Sequence, residues 1–229
     1  MPNARQVETN ELAHGQRYSS REDLSLLLTE IHASRIGKLN SLHGRGTVLF
    51  AEGEPARGVY ILRSGRATVS ISSSAGRVVM LRVAQSGDVL GLNSVFRNSF
   101  YDTTVKTLEP CRTDFISRME LLNIMQHSSA GAYAILRMLS QELTELTDRA
   151  KSLLLPETVN GRLARLLLEL SNGTSRLARV LTHEEIAQMI CSSRETVTRL
   201  LATLSRKKVI CVTPDTILIH DRPALEAIT

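Results

Sequence analysis

Between Gly46 and Phe115 the chain breaks into short β-prone runs: Thr47–Phe50, Val59–Leu62, Ala67–Ser72, Val78–Val83, Val89–Leu90 and Thr103–Leu108. Glycines at 53, 58, 65, 76, 87 and 91 sit between or beside them. Runs this short, with turn residues at close intervals, build an antiparallel barrel or roll. A doubly wound α/β nucleotide fold needs a helical pattern of about ten or more residues between strands, and none separates these runs. The expected architecture is therefore α+β, with an antiparallel β-roll in the N-terminal half.

The periodicity is different on either side of the roll. Residues 1–18 are polar and aperiodic and read as a flexible N-terminus. Ser20 with Asp23 resembles a capping box, and Leu24, Leu27, Leu28 and Ile31 follow at helical spacing, which predicts an amphipathic helix of about three turns. Beyond the roll, Ala132, Leu136, Leu139, Leu143, Leu146, Ala150 and Leu153 alternate in steps of four and three, a heptad seam. A helix lying on its own barrel is the plainer reading of such a stripe, but its regularity favours a parallel dimer helix. Pro156 ends this helix and places a hinge near Leu155–Thr158. The expected layout is a flexible terminus (1–18), a β-roll domain (19–130), a dimerisation helix (131–155) and a winged helix-turn-helix (156–229).

In the last segment, Leu163, Leu166, Leu167 and Leu170 share a helix face, and Asn172-Gly173 marks a loop. Thr182 and Glu185 form the S/T-x-x-E start of another helix. A turn at Cys191–Ser192 leads into a second helix, and the runs Val209–Val212 and Ile217–His220 around Pro214-Asp215 read as a hairpin. Ile186, Ala187 and Ile190 are the predicted inner side of the first helix; Val197, Leu200, Leu201 and Leu204 that of the second. Ser193, Arg194, Glu195, Thr196, Thr198 and Arg199 are left facing outward. Arginine can hold guanine O6 and N7 together, glutamate can accept from cytosine N4, and small hydroxyls can bond phosphates.

Charge agrees with that reading. The chain of 229 residues carries a formal charge of +5, and between Ser192 and Lys208 five cations face one anion, Glu195. A solvated charged surface is the alternative, in which case the chain is a sensor or scaffold acting on protein partners. No Ser-His-Asp arrangement, P-loop, H-E-x-x-H or paired metal-ligand spacing supports an enzyme. Three scattered cysteines, Cys111, Cys191 and Cys211, make neither a disulfide framework nor a CxxC site. No apolar stretch approaches the roughly 20 residues of a membrane span, and a cytoplasmic chain is expected.

Two blocks give these patterns a specific resemblance. The first reads G-T-V-L-F-A-E-G-E-P-A (46–56), Y-I-L-R-S-G-R-A-T-V (60–69) and S-G-D-V-L-G (86–91); the second is S-R-E-T-V-T-R (193–199). From about Gly46 to Ile219 the chain resembles the Crp/Fnr family of bacterial transcription regulators. The resemblance implies a homodimer on palindromic double-stranded DNA, with RNA polymerase as a further partner. It implies base reading by Arg194, Glu195 and Arg199 and phosphate contacts by Thr182, Ser193 and Thr196. Cys191 occupies the turn position that the family usually gives to glycine, which implies strain if that residue has positive φ.

The sensor block departs from the cyclic-nucleotide pattern. Where the resemblance implies a glutamate for the ribose and an Arg-Ser pair for the cyclic phosphate, the chain has Leu92 and Tyr101-Asp102. Leucine accepts no hydroxyl, and Asp102 repels phosphate, so cyclic AMP bound in the usual way is not expected. The expected effector pocket comprises Gly91, Leu92, Arg97, Tyr101, Asp102, Leu146 and Thr147, its ligand an unidentified small molecule or none. An iron–sulfur cluster is not expected, since no cysteine precedes Cys111, and no spacing among His14, His32, His43, His127, His183 and His220 marks a haem ligand. Arg82, Arg97 and Arg149 are the basic groups available to an acidic effector.

Overall fold

The computed structural model describes residues 22–31, 39–97, 100–155, 158–171, 176–178, 181–213 and 216–228. The expectations for residues 1–18, the Ser20 cap, Pro156, Asn172-Gly173 and Pro214-Asp215 lie outside them. The chain divides into two compact units, Met1–Arg77 with Leu81–Glu145, and Val78–Met80 with Leu146–Thr229. No helix among the described residues is long and apolar enough to cross a membrane.

The first unit carries a roll of two antiparallel four-stranded sheets. One orders its strands β1 (Leu39–His43), β8 (Cys111–Ser117), β3 (Gly58–Ser64) and β6 (Val89–Leu90). The other runs β2 (Val48–Phe50), β7 (Thr104–Thr107), β4 (Ala67–Ser72) and β5 (Val78–Ala84). Each predicted run became a strand within a residue or two, whereas β1 and β8 were not anticipated. In the β3–β8 pairing, Gly58 lies opposite Ser117. A Cβ at residue 58 would collide with the Ile116 carbonyl and the Phe115 ring, so only glycine permits that approach.

Helices close the ends of the roll. Helix α1 (22–31) buries Leu24, Leu27 and Ile31. Between β6 and β7 lies the short α2 (Leu92–Phe96). Helix α3 (Arg118–His127) begins at a capping box in which Ser117 Oγ accepts from Glu120 N and the Glu120 carboxylate accepts from Ser117 N. Helix α4 (Ser129–Leu154) follows. Its Ile135 enters the same core as Ile61, Leu62, Leu92, Ile116 and Leu121, and Met138 and Leu139 pack against that core. Another face of α4 is exposed: Leu136 at 62%, Leu143 at 67% and Leu154 at 80%.

The second unit is built from α5 (Val159–Ser171), β9 (Arg176–Ala178), α6 (His183–Met189), α7 (Arg194–Arg206), β10 (Ile210–Val212), β11 (Thr216–Ile219) and α8 (Arg222–Glu226). The strands form one antiparallel sheet in the order β10-β11-β9. Leu163, Leu166, Leu167, Ile186, Ile190, Val197, Leu201, Leu204, Ile217 and Leu225 are buried. Leu200, predicted inside, is only half-buried.

Candidate nucleic-acid interface and sensor interior

Helices α6 and α7 are joined by the turn at Ile190–Ser193. Thr182 caps α6: its Oγ1 accepts from Glu185 N at 3.2 Å, and the Glu185 carboxylate accepts from Thr182 N at 2.6 Å. Ser193 caps α7 by accepting from Thr196 N at 3.2 Å. These bonds satisfy backbone donors that a helix start leaves without intrahelical partners. Ser193 thereby sits beside Arg194 and Glu195, which begin α7, while Thr182 sits at the far end of α6, next to His183.

Arg194, Glu195, Thr198 and Arg199 are exposed, and Thr196 is half-buried. Hydrogen bonds from its own backbone N–H and from Ser193, with the charge of Arg194, hold the Glu195 carboxyl below the usual carboxylate range. It therefore presents an acceptor at neutral pH. Thr198 was not among the residues expected to touch DNA. Its Oγ1 donates to Arg194 O at 2.9 Å and pairs with His183 Nδ1 at 2.8 Å. Because that hydroxyl proton goes to the carbonyl, the imidazole Nδ1 is the donor to Thr198.

The turn itself is a Schellman ending. Ser192 N donates to Ala187 O at 2.9 Å, and the residue before it, Cys191, has φ of 52°. That is the left-handed position where glycine is usual. A side chain there costs about 1–2 kcal/mol, so the strain expected at Cys191 is present. The neighbouring carbonyls have partners outside α6: Arg162 Nε donates to Ile190 O at 2.9 Å, and Arg149 Nη2 donates closely to Met189 O. Burial pushes the Arg149 guanidinium down from its ordinary range, against the opposing pull of Glu169 and Cys191. The sequence gives no sign of this pair, since backbone carbonyls accept from any donor within reach.

The expected effector residues are placed mostly inside the roll. Gly91 has φ of 83°, and a Cβ there would meet the Tyr101 ring at 2.8 Å. Leu92 is buried in the core. Tyr101 is buried, stacks on Phe50 with ring centroids 3.9 Å apart and donates its hydroxyl to Gly58 O at 2.6 Å. Asp102 accepts from Asn93 Nδ2 at 2.8 Å and Ser94 Oγ at 2.9 Å. Arg97 is exposed at the end of α2, and Leu146 and Thr147 are exposed on α4.

A cavity of about 90 Å³ does open in the first unit, walled by Asp23, Arg82, Asp88, Leu92, Glu142 and Glu145, among others. Of the residues expected to form the pocket, Leu92 alone is one of its walls. Arg82 pairs closely with Asp88 and lies 3.5 Å from Glu145. Burial lowers the Arg82 pKa, but Asp88, Glu145 and Glu142 together outweigh it and leave the guanidinium above its ordinary value. Glu142 is pushed up chiefly by burial, opposed by Arg82 and reinforced by Asp102, Glu145 and Asp88. Among the described residues no His, Cys, Asp or Glu group is arranged to hold a metal ion.

Comparison with known proteins follows the two units. Residues 43–128 match the cyclic nucleotide-binding domain and residues 161–228 the Crp-like helix-turn-helix domain. The CRP-like cAMP-activated global transcriptional regulator of Mycobacterium tuberculosis is 30% identical over 188 residues, covering 79% of this chain and 84% of that one. The anaerobic regulatory protein of Bacillus subtilis is 29% identical over 188 residues, covering 78% and 79%. Among solved structures, FixK2 of Bradyrhizobium japonicum shares the fold at a TM-score of 0.74 and 21% identity, covering 84% of this chain and 98% of that one. The c-di-GMP responsive regulator CLP of Xanthomonas campestris does so at 0.72 and 22%, covering 84% and 97%.

An antiparallel roll, a long helix and a helix-turn-helix with a basic, outward-facing second helix define a DNA-binding transcription regulator. The chain belongs to the Crp/Fnr family.

Proposed function

We propose that this regulator binds a palindromic DNA site as a homodimer and that its signal is not cyclic AMP held in the usual way of its family. The reading rests above all on the exposed N-terminal face of α7, where Arg194, Glu195 and Arg199 stand clear of a core that buries Val197, Leu201 and Leu204. A helix entering the major groove needs its base-reading groups there. Thr182, Ser193 and Thr196 are the phosphate contacts. The exposed stripe of Tyr133, Leu136, Leu143, Leu146 and Leu154 on α4 supports pairing with a second copy. The working layout has a sensor domain at 19–130, a dimer helix at 131–155 and a DNA-binding domain at 156–229, with RNA polymerase as the partner of the bound dimer in the cytoplasm.

Relatives differ in signal: the Mycobacterium tuberculosis protein is described as cAMP-activated and CLP as c-di-GMP responsive. Family membership therefore leaves the signal open, and the support for this reading comes from the chain's own residues. Leu92, Tyr101 and Asp102 are held within the roll, and the nearby cavity is smaller than the roughly 300 Å³ at which small-molecule pockets begin. A cyclic phosphate would meet Asp102 rather than a guanidinium.

The test is fluorescence anisotropy with a duplex selected from a random library. Arg199→Ala should cost about 1–3 kcal/mol per half-site and relax preference at one base pair. Thr196→Val should weaken all sequences alike. Equal losses for Arg199→Ala on matched and mismatched duplexes would remove its base-reading role.

A further inference from the structure

We propose that Arg162 and Arg149 are positioning residues for recognition helix α7, forming a clamp on the end of α6 that holds Cys191 in its left-handed conformation. The proposal rests on the DNA-binding reading and deepens it. Met189 and Ile190 are the last residues before the turn, and at the end of a helix their carbonyls have no intrahelical donor. Each accepts from a guanidinium carried by a different helix: Ile190 O from Arg162 on α5, and Met189 O from Arg149 on α4.

The next residue, Cys191, takes the conformation that redirects the chain into α7. Glycine adopts it freely; cysteine does so at a cost equivalent to roughly a tenfold loss of population. Ser192 N closes the turn on Ala187 O, so the turn is held on both sides of the strained residue. Among the described residues the Arg149 Nε is buried without a hydrogen-bond partner, and the Nη2 bonds to Met189 O and to Met80 O, the latter at 3.1 Å, offset that cost.

Without the clamp, the turn relaxes, and only a fraction of molecules presents Arg194, Glu195 and Arg199 together. Apparent affinity then falls by that fraction. Arg149 also ties the turn to α4, so a movement of that part of α4 reaches the recognition helix without passing through the connection into α5.

The experiment compares specific with non-specific duplex affinity in the full chain. Arg162→Gln is expected to lower the ratio by about ten- to a hundredfold, the range of one charge-assisted hydrogen bond, and Arg149→Gln to act in the same direction. Adding Cys191→Gly to either is expected to restore at least half of the logarithmic loss, because glycine needs no clamp; Cys191→Gly alone should bind at least as well as wild type. The proposal is overturned if both glutamine variants match wild type, if glycine at 191 rescues neither, or if Cys191→Gly alone weakens specific binding. Circular dichroism melts identify a variant that fails to fold, in which case the other arginine and Cys191→Gly decide. A wild-type chain with no preference for any duplex counts against the DNA-binding reading instead, a different result from lost rescue.

Discussion

Tyr101 tests whether the roll's interior is closed by the chain itself. Its side chain is 5% exposed, its hydroxyl donates to Gly58 O at 2.6 Å, and its ring stacks on Phe50. Tyr101→Phe keeps the ring and deletes the donor. Leaving a buried carbonyl short of a partner costs about 1–3 kcal/mol, which is the loss expected at pH 7.

A second signature lies in pH. Burial, with Tyr60 and Glu54 nearby, pushes the Tyr101 phenol from 10.0 up to about 12. Below pH 10 both folded and unfolded chains hold the proton, and the folded state keeps its full stability. Between pH 10 and 12 the unfolded chain has released it and the folded chain has not, so stability falls as pH rises, by at most about 1.4 kcal/mol per unit. Solvent screening at the ring edge reduces that figure. Phenylalanine does not titrate, so the wild type should lose stability relative to the variant over this range. Urea unfolding followed by circular dichroism at pH 7, 9, 10 and 11 measures the difference. Parallel curves from pH 9 to 11, or identical stability at pH 7, would refute a buried, bonded phenol.

Three further outcomes follow from the same structure. Leu143→Lys should convert the proposed dimer to monomer in sedimentation, since a seam lysine loses its hydration without a partner, and an unchanged dimer would place the interface elsewhere. Ile135→Ala, on the face of α4 packed into the roll, should do the reverse: about 2–5 kcal/mol less stable, with the oligomeric state kept at temperatures below its melt. Calorimetry should find no binding of cyclic AMP at micromolar concentrations, and the nucleotide should leave duplex affinity unchanged; tight binding would mean that the roll opens around Tyr101.

The parts of the fold visible in the sequence are those whose physics is local. The Thr182-x-x-Glu185 signature became a capping box with both bonds made. Cys191 took the positive φ that its turn position demanded. Strand β8 escaped notice because Arg112 and Asp114 interrupt its apolar pattern, yet Asp114 is buried, with Asn40 and Arg63 at its carboxylate. Strand β1 has little apolar pattern of its own and pairs along its length with β8. Helix α3 carried a readable cap at Ser117 and Glu120, but its exposed Met119 and Met125 blur the helical stripe. On α4 the spacing set the exposed Leu136 and Leu143 apart from Ile135 and Met138, but it also put Leu139 in the seam, whereas Leu139 packs against the roll core. On the helix-turn-helix the exposed residues of α7 were legible, while the pairing of Thr198 with His183 and the bonds of Arg149 on α4 and Arg162 on α5 to the carbonyls at the end of α6 depend on contacts that only the folded chain brings together.

The residues singled out in the two halves of the chain have different surroundings. Arg194, Glu195 and Arg199 face outward. Residues 92, 101 and 102 have partners within the chain itself. Here Leu92 joins the core, the Tyr101 ring stacks on Phe50, and Asp102 is held by Asn93 and Ser94. A small cavity is walled by Arg82 and Glu142, where the guanidinium is already matched by Asp88 and Glu145. A ligand entering there would meet a guanidinium whose charge is already balanced by those carboxylates. It can bias the protein only as far as it binds one arrangement of α4 more tightly than another.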